Sequence, residues 1–112
     1  MTSTTGTDLD RVFVALADPT RRQLLELLGG EPASATTLAS QLPVSRQAVV
    51  QHLAVLAGCH LVIRRRAGRE VLFSIEPERL AATAYWLTER ANAWRDRLET
   101  LKREAEADDA AG

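Results

Sequence analysis

The spacing of the apolar residues changes period once along this chain and then changes back. From Leu9 to Leu56 they recur at helical spacing, from Leu61 to Ile75 the run is β-rich with Val71, Phe73 and Ile75 alternating, and after Pro77 helical spacing returns. A single short β segment between helical runs predicts a mainly α fold with a small β-hairpin. The 112 residues fit one domain and are too few for an enzyme with a separate substrate domain.

The helical part divides at its own punctuation. Leu9, Val12, Phe13, Leu16 and Ala17 mark a first helix, and Asp18-Pro19 reads as an N-cap followed by proline at the first position of a second. That second helix carries Leu24, Leu25, Leu27 and Leu28 and is expected to stop at Gly29-Gly30, before a loop through Ala33. Ser34 caps a third helix of about two turns with Leu38, Ala39 and Leu42 on one face, closed by Pro43. Ser45 caps a fourth, in which Ala48, Val49, Leu53 and Leu56 form the inward stripe. A domain over residues 8–104 is expected, between a flexible N-terminal tail, 1–7, and a flexible acidic C-terminal tail, 105–112.

Two short helices joined by Leu42-Pro43-Val44-Ser45 form a helix-turn-helix, and the basic hairpin after it makes the unit a winged helix-turn-helix. Charge placement agrees. The net charge is only −1, yet residues 44–70 hold Arg46, Arg64, Arg65, Arg66 and Arg69 against Glu70, a local +4 that leaves −5 elsewhere. Gln47 and Gln51 each offer an amide donor and acceptor to adenine edges, and Arg46 can fork onto guanine or a phosphate. Val50 shares their outward face, the N–H groups near Ser45 favour a phosphate, and the wing arginines suit the backbone or a narrow minor groove. A solvated edge that blocks strand pairing is the competing reading of the arginine run. Double-stranded DNA is the expected partner.

After Pro77, Ala84, Leu87, Ala91, Trp94, Leu98, Leu101 and Ala105 repeat at alternating spacings of 3 and 4, a seam that calls for a second helix. Tyr85, Trp86 and Trp94 are read as packing residues rather than as a ligand pocket.

Three segments, in order, carry a family resemblance: Phe13-Val-Ala-Leu-Ala-Asp-Pro-Thr-Arg-Arg22, Ser45-Arg-Gln-Ala-Val-Val-Gln-His-Leu-Ala-Val-Leu56 and Gly68-Arg-Glu-Val-Leu-Phe73. Over roughly residues 9–103 the chain resembles the ArsR/SmtB-type bacterial regulators. The resemblance implies a homodimer through the first and last helices, with Val12 and Phe13 facing Leu87, Ala91, Trp94, Leu98 and Leu101. It also implies a recognition helix from Ser45 to about Gly58, with His52 at a family histidine beside the DNA face, where it either approaches the DNA backbone or hydrogen-bonds within the domain, and repression of the protein's own operon from a palindromic operator. The alternative is a winged-helix module that binds a partner protein, with DNA contact secondary or lost.

The family's metal sensors carry paired cysteines at the third helix or Asp and His ligands on the last. This chain has Ser34-Ala-Thr-Thr-Leu-Ala-Ser-Gln-Leu42 in the first place and no His or Cys over residues 77–112, so no metal and no cofactor are expected. Cys59-His60 departs from the family pattern; a structural thiol is the preferred reading, and a redox-sensitive one the alternative. No nucleophile–base pair, phosphate-binding glycine loop or carboxylate pair suggests an enzyme. No apolar run reaches the roughly 20 residues that span a bilayer, and the N-terminus lacks a signal-peptide pattern, so a cytoplasmic protein is expected. The inducer is not legible.

Overall fold

The computed structural model describes residues 4–111 and runs α1 (Thr4–Ala17), α2 (Pro19–Gly30), β1 (Ala33–Ser34), α3 (Ala35–Ala39), α4 (Arg46–Gly58), β2 (Val62–Ala67), β3 (Glu70–Ile75) and α5 (Pro77–Ala111). Residues up to Leu80 form one compact unit and those from Ala81 on a second.

In the first unit the core is built from the predicted stripes. Leu24, Leu38, Leu53, Leu56, Leu61, Val12, Val49 and Val62 are fully buried, and Phe73 closes the sheet side. Burial of each such side chain stabilises by roughly 1.5–3 kcal/mol before chain entropy is counted. Val12 belongs to this core, so it supports α1 from inside and is not an interface residue, a correction to the expected list.

The helix ends follow local chemistry. Ser34 Oγ accepts from Thr37 N–H at 3.1 Å and Ser45 Oγ accepts from Ala48 N–H at 3.1 Å, each satisfying a first-turn donor. The third helix is shorter than the expected two turns, ending at Ala39. Asp18 precedes Pro19 at the N-cap position, but its side chain makes no capping bond. Its carboxylate instead points into the fold, with Oδ2 3.7 Å from His52 Nδ1.

Helix α4 closes on a Schellman motif. His60 N–H donates to the Ala57 carbonyl at 3.1 Å and Leu61 N–H to the Leu56 carbonyl at 3.0 Å, which requires His60 to sit at φ 62. Leu56 and Leu61, the apolar pair of that motif, are both buried. His60 thus takes the left-handed position that glycine usually holds.

The hairpin pairs Val62 with Ile75 through Ala67 with Glu70, leaving Gly68-Arg69 as a two-residue loop. Gly68 has φ +65 in the first loop position, where a II′ turn needs glycine. The segment before α3, expected as loop, contributes a two-residue strand: Ala33 pairs with Phe73 and Ser34 with Leu72, giving a three-stranded antiparallel sheet of order β1-β3-β2. Two residues carry no readable alternation, and only the partner strand makes them β.

Helix α1 begins at Thr4, inside the segment expected to be a tail; Met1–Ser3 and Gly112 lie outside the described residues. Helix α5 continues through the expected acidic tail to Ala111, because Lys102, Arg103, Glu104 and the alanines that follow are strong helix formers. Trp94 and Leu98, in its 3-4 seam, are 61% and 66% exposed. Within this unit Arg90 lies over the Trp86 ring, 5.7 Å from its centroid. No helix among the described residues is long and apolar enough to cross a membrane.

Candidate nucleic-acid interface

Helices α3 and α4 with the six-residue link between them, 40–45, form the helix-turn-helix, and the capped start of α4 is at the surface. Burying Val49, Leu53 and Leu56 rotates Gln47, Val50 and Gln51 outward, and all three are exposed. Ser45 is also exposed, with its oxygen engaged as the cap acceptor.

Arg46 reaches across to α3. Its Nε donates to Thr36 Oγ1 at 3.0 Å, which ties the two helices of the motif together at their N-terminal ends. Thr36 was not singled out from the sequence; ten residues separate the pair, so no helical or strand spacing links them.

His52 points elsewhere. Its Nδ1 lies 3.2 Å from Arg21 Nη1 and its side chain is only 23% exposed, so it bonds within the domain, to the α1–α2 corner. Leu53 beside it is buried.

The wing arginines divide by the pleat. Arg64 stands opposite Phe73 and Arg66 opposite Val71, whereas Arg65 stands opposite Leu72 on the other face. Arg64, Arg65, Arg66 and Arg69 are exposed, and among the described residues none has a carboxylate partner. Arg64 and Arg69 share an open cleft of about 330 Å³ with Arg46, Thr36 and Val50, so the wing and the recognition helix border one groove.

Cys59 is buried, and its Sγ lies 3.5 Å from the Leu56 carbonyl as a donor. Burial pushes the thiol up from its ordinary pKa, with nearby backbone hydrogen bonds and the Arg79 and Arg21 charges opposing weakly. A reactive thiol needs exposure and a lowered pKa, and Cys59 has neither feature here. Among the described residues no group of three or more His, Cys, Asp or Glu stands close enough to hold a metal ion.

Residues 16–66 match a family model described as a helix-turn-helix domain. The chain is 48% identical to the HTH-type transcriptional regulator Rv2034 of Mycobacterium tuberculosis over 73 residues, 65% of this chain and 68% of that one. It is 29% identical to the transcriptional repressor SdpR of Bacillus subtilis over 70% of this chain and 88% of that one. Among solved structures, an ArsR-like transcriptional regulator from Rhodococcus sp. RHA1 superimposes with a TM-score of 0.88 at 41% identity, covering 96% of this chain and 98% of that one. With its winged helix-turn-helix, its exposed recognition row and these likenesses, the chain belongs to the ArsR family of DNA-binding transcriptional regulators and is not an enzyme.

Proposed function

We propose that the protein represses transcription from the cytoplasm by binding a palindromic operator as a homodimer, through a domain spanning residues 8–104. Each protomer sets the N-terminal half of α4 in the major groove and lays its wing along the backbone. The observation that carries this is the cleft that Arg46 and Val50 of α4 share with Arg64 and Arg69 of the wing, exposed cations without a carboxylate partner among the described residues. Gln47 and Gln51 read bases, and Arg46, Arg64, Arg66 and Arg69 hold phosphates.

Dimerisation is supported by the seam of α5, whose Leu87, Trp94, Leu98 and Leu101 are exposed at 3-4 spacing. Such a stripe in water is a liability unless a second helix covers it. Ala91 lies in the same seam, and Phe13 adds an exposed apolar residue on α1. Two-fold symmetry then sets the half-site centres about one DNA turn, or a multiple of it, apart. Repression follows from the likeness to the Bacillus subtilis repressor.

Fluorescence anisotropy on the duplex upstream of the protein's own gene, against a scrambled duplex across a salt series, tests the reading. A preference of about a thousandfold, one dimer per palindrome, and a log–log salt slope of about −7 for about eight phosphates, one for each of Arg46, Arg64, Arg66 and Arg69 in the two protomers, are expected. Equal weak binding to both duplexes would defeat it.

A further inference from the structure

We infer that Thr36 is a positioning residue for DNA binding: it draws Arg46 off the base-reading row and holds the guanidinium, beside Arg64 and Arg69, against the phosphates of one strand lying in the cleft between α3, α4 and the wing. The inference rests on the DNA reading above and assigns to one site what that reading leaves to the surface as a whole.

The geometry is specific about which nitrogen is used. Arg46 spends Nε on Thr36 Oγ1, so the four N–H groups of Nη1 and Nη2 remain as a fork for an anion. Thr36 accepts that bond, which leaves its own O–H to donate. Fork and hydroxyl thus stand at one place, supplied by two different helices. A side chain anchored to α3 in this way does not extend along its own helix toward a base edge, so base reading falls to Gln47 and Gln51.

The surroundings fit a sugar–phosphate strand. Arg46, Arg64 and Arg69 border the 330 Å³ cleft against one carboxylate, Glu70, so the site favours an anion by two charges. Val50 and Phe73 supply apolar surface on the same walls, suited to deoxyribose between successive phosphates. The two-residue strand β1 pairs with Phe73 on β3 immediately before Ser34 caps α3, so the sheet itself fixes where Thr36 stands relative to the wing.

The test is a salt series on the full chain with the upstream duplex and the scrambled duplex, comparing wild type with T36V, T36S, R46A and T36V/R46A. T36V removes no charge, yet it is expected to weaken both duplexes alike by about tenfold and to flatten the salt slope by about one per protomer, as R46A does. T36S, which keeps the hydroxyl, should bind as wild type, and the loss in the double variant should fall short of the sum of the two single losses. An unchanged slope in T36V, additive losses in the double variant, or a changed preference at one base position would each overturn the assignment. Should T36V fold poorly, R46A carries the test alone: a loss confined to the upstream duplex would return Arg46 to base reading. Wild-type protein with no salt-dependent binding to either duplex would overturn the DNA reading itself, an outcome distinct from the others.

Discussion

Arg21 Nη1 lies 3.2 Å from His52 Nδ1, so the corner between the first two helices is fastened to the middle of the recognition helix. Arginine only donates, so Nδ1 is the acceptor and a neutral His52 carries its proton on Nε2. The same guanidinium donates through Nε to the Ala15 carbonyl at 2.8 Å and through Nη2 to the Val14 carbonyl at 3.1 Å, satisfying the otherwise unpaired end of α1. Asp18 Oδ2, buried and without a hydrogen-bond partner, is the acid of this cluster.

Arg21→Ala removes three hydrogen bonds at once, each donated by the charged guanidinium, and should destabilise the fold by about 2–3 kcal/mol. Arg22→Ala loses one exposed bond to the Leu16 carbonyl and should cost under about 1 kcal/mol. Urea unfolding of the two variants checks this, and equal losses would show that the corner is not held through Arg21.

His60 occupies a left-handed backbone position that glycine adopts without steric cost. His60→Gly should stabilise the protein by about 1 kcal/mol, and His60→Val should destabilise it. A loss of stability in the glycine variant would mean that the imidazole contributes more than its backbone costs.

The Cys59 thiol should resist a disulfide reagent in the native protein and react fully in denaturant. Its pKa is raised by burial, so its share of stability is complete below the unfolded thiol value of about 8.5 and is lost as pH climbs from there through the folded value. Wild type should therefore lose stability faster than Cys59→Ala above about pH 8.5. Rapid native labelling at neutral pH would contradict the burial argument.

Leu98→Glu places a charge in the exposed α5 seam. Light scattering should report a monomer, and operator affinity should fall by at least about a hundredfold as one protomer is left reading one half-site. A dimer of wild-type strength would move the interface elsewhere.

Base and backbone roles separate by salt. Gln51→Ala should cost about 1–3 kcal/mol on the operator and relax preference at one base pair, with the slope unchanged. Arg64→Ala should weaken all duplexes and flatten the slope by about one per protomer, with Arg65→Ala, on the opposite face of the wing, doing less. Identical behaviour of the two arginines would mean that the wing enters the DNA edge-on.

Local chemistry made much of this protein legible in advance. Ser34 and Ser45 announced their helices as caps, Val49, Leu53 and Leu56 declared the buried side of α4, and Gly68 marked the turn of the wing, because each depends on neighbours within a few residues. The outward direction of Gln47 and Gln51 followed from the same periodicity. Other assignments depended on partners far along the chain. Strand β1 exists only because β3, some forty residues on, pairs with it; Val12 turned inward because the first unit has a core to fill; and His52 bonds to Arg21, thirty-one residues before it in the chain. The 3.0 Å bond from Arg46 to Thr36 likewise joins side chains on two helices that no local spacing links. The sequence by itself determined which segments are helix, wing and recognition row, since hydrophobic period, caps and turn residues act locally. The tertiary structure decided which groups Arg46 and His52 of α4 bond to, since a hydrogen bond is won by whichever distant group the packed core brings within about 3 Å.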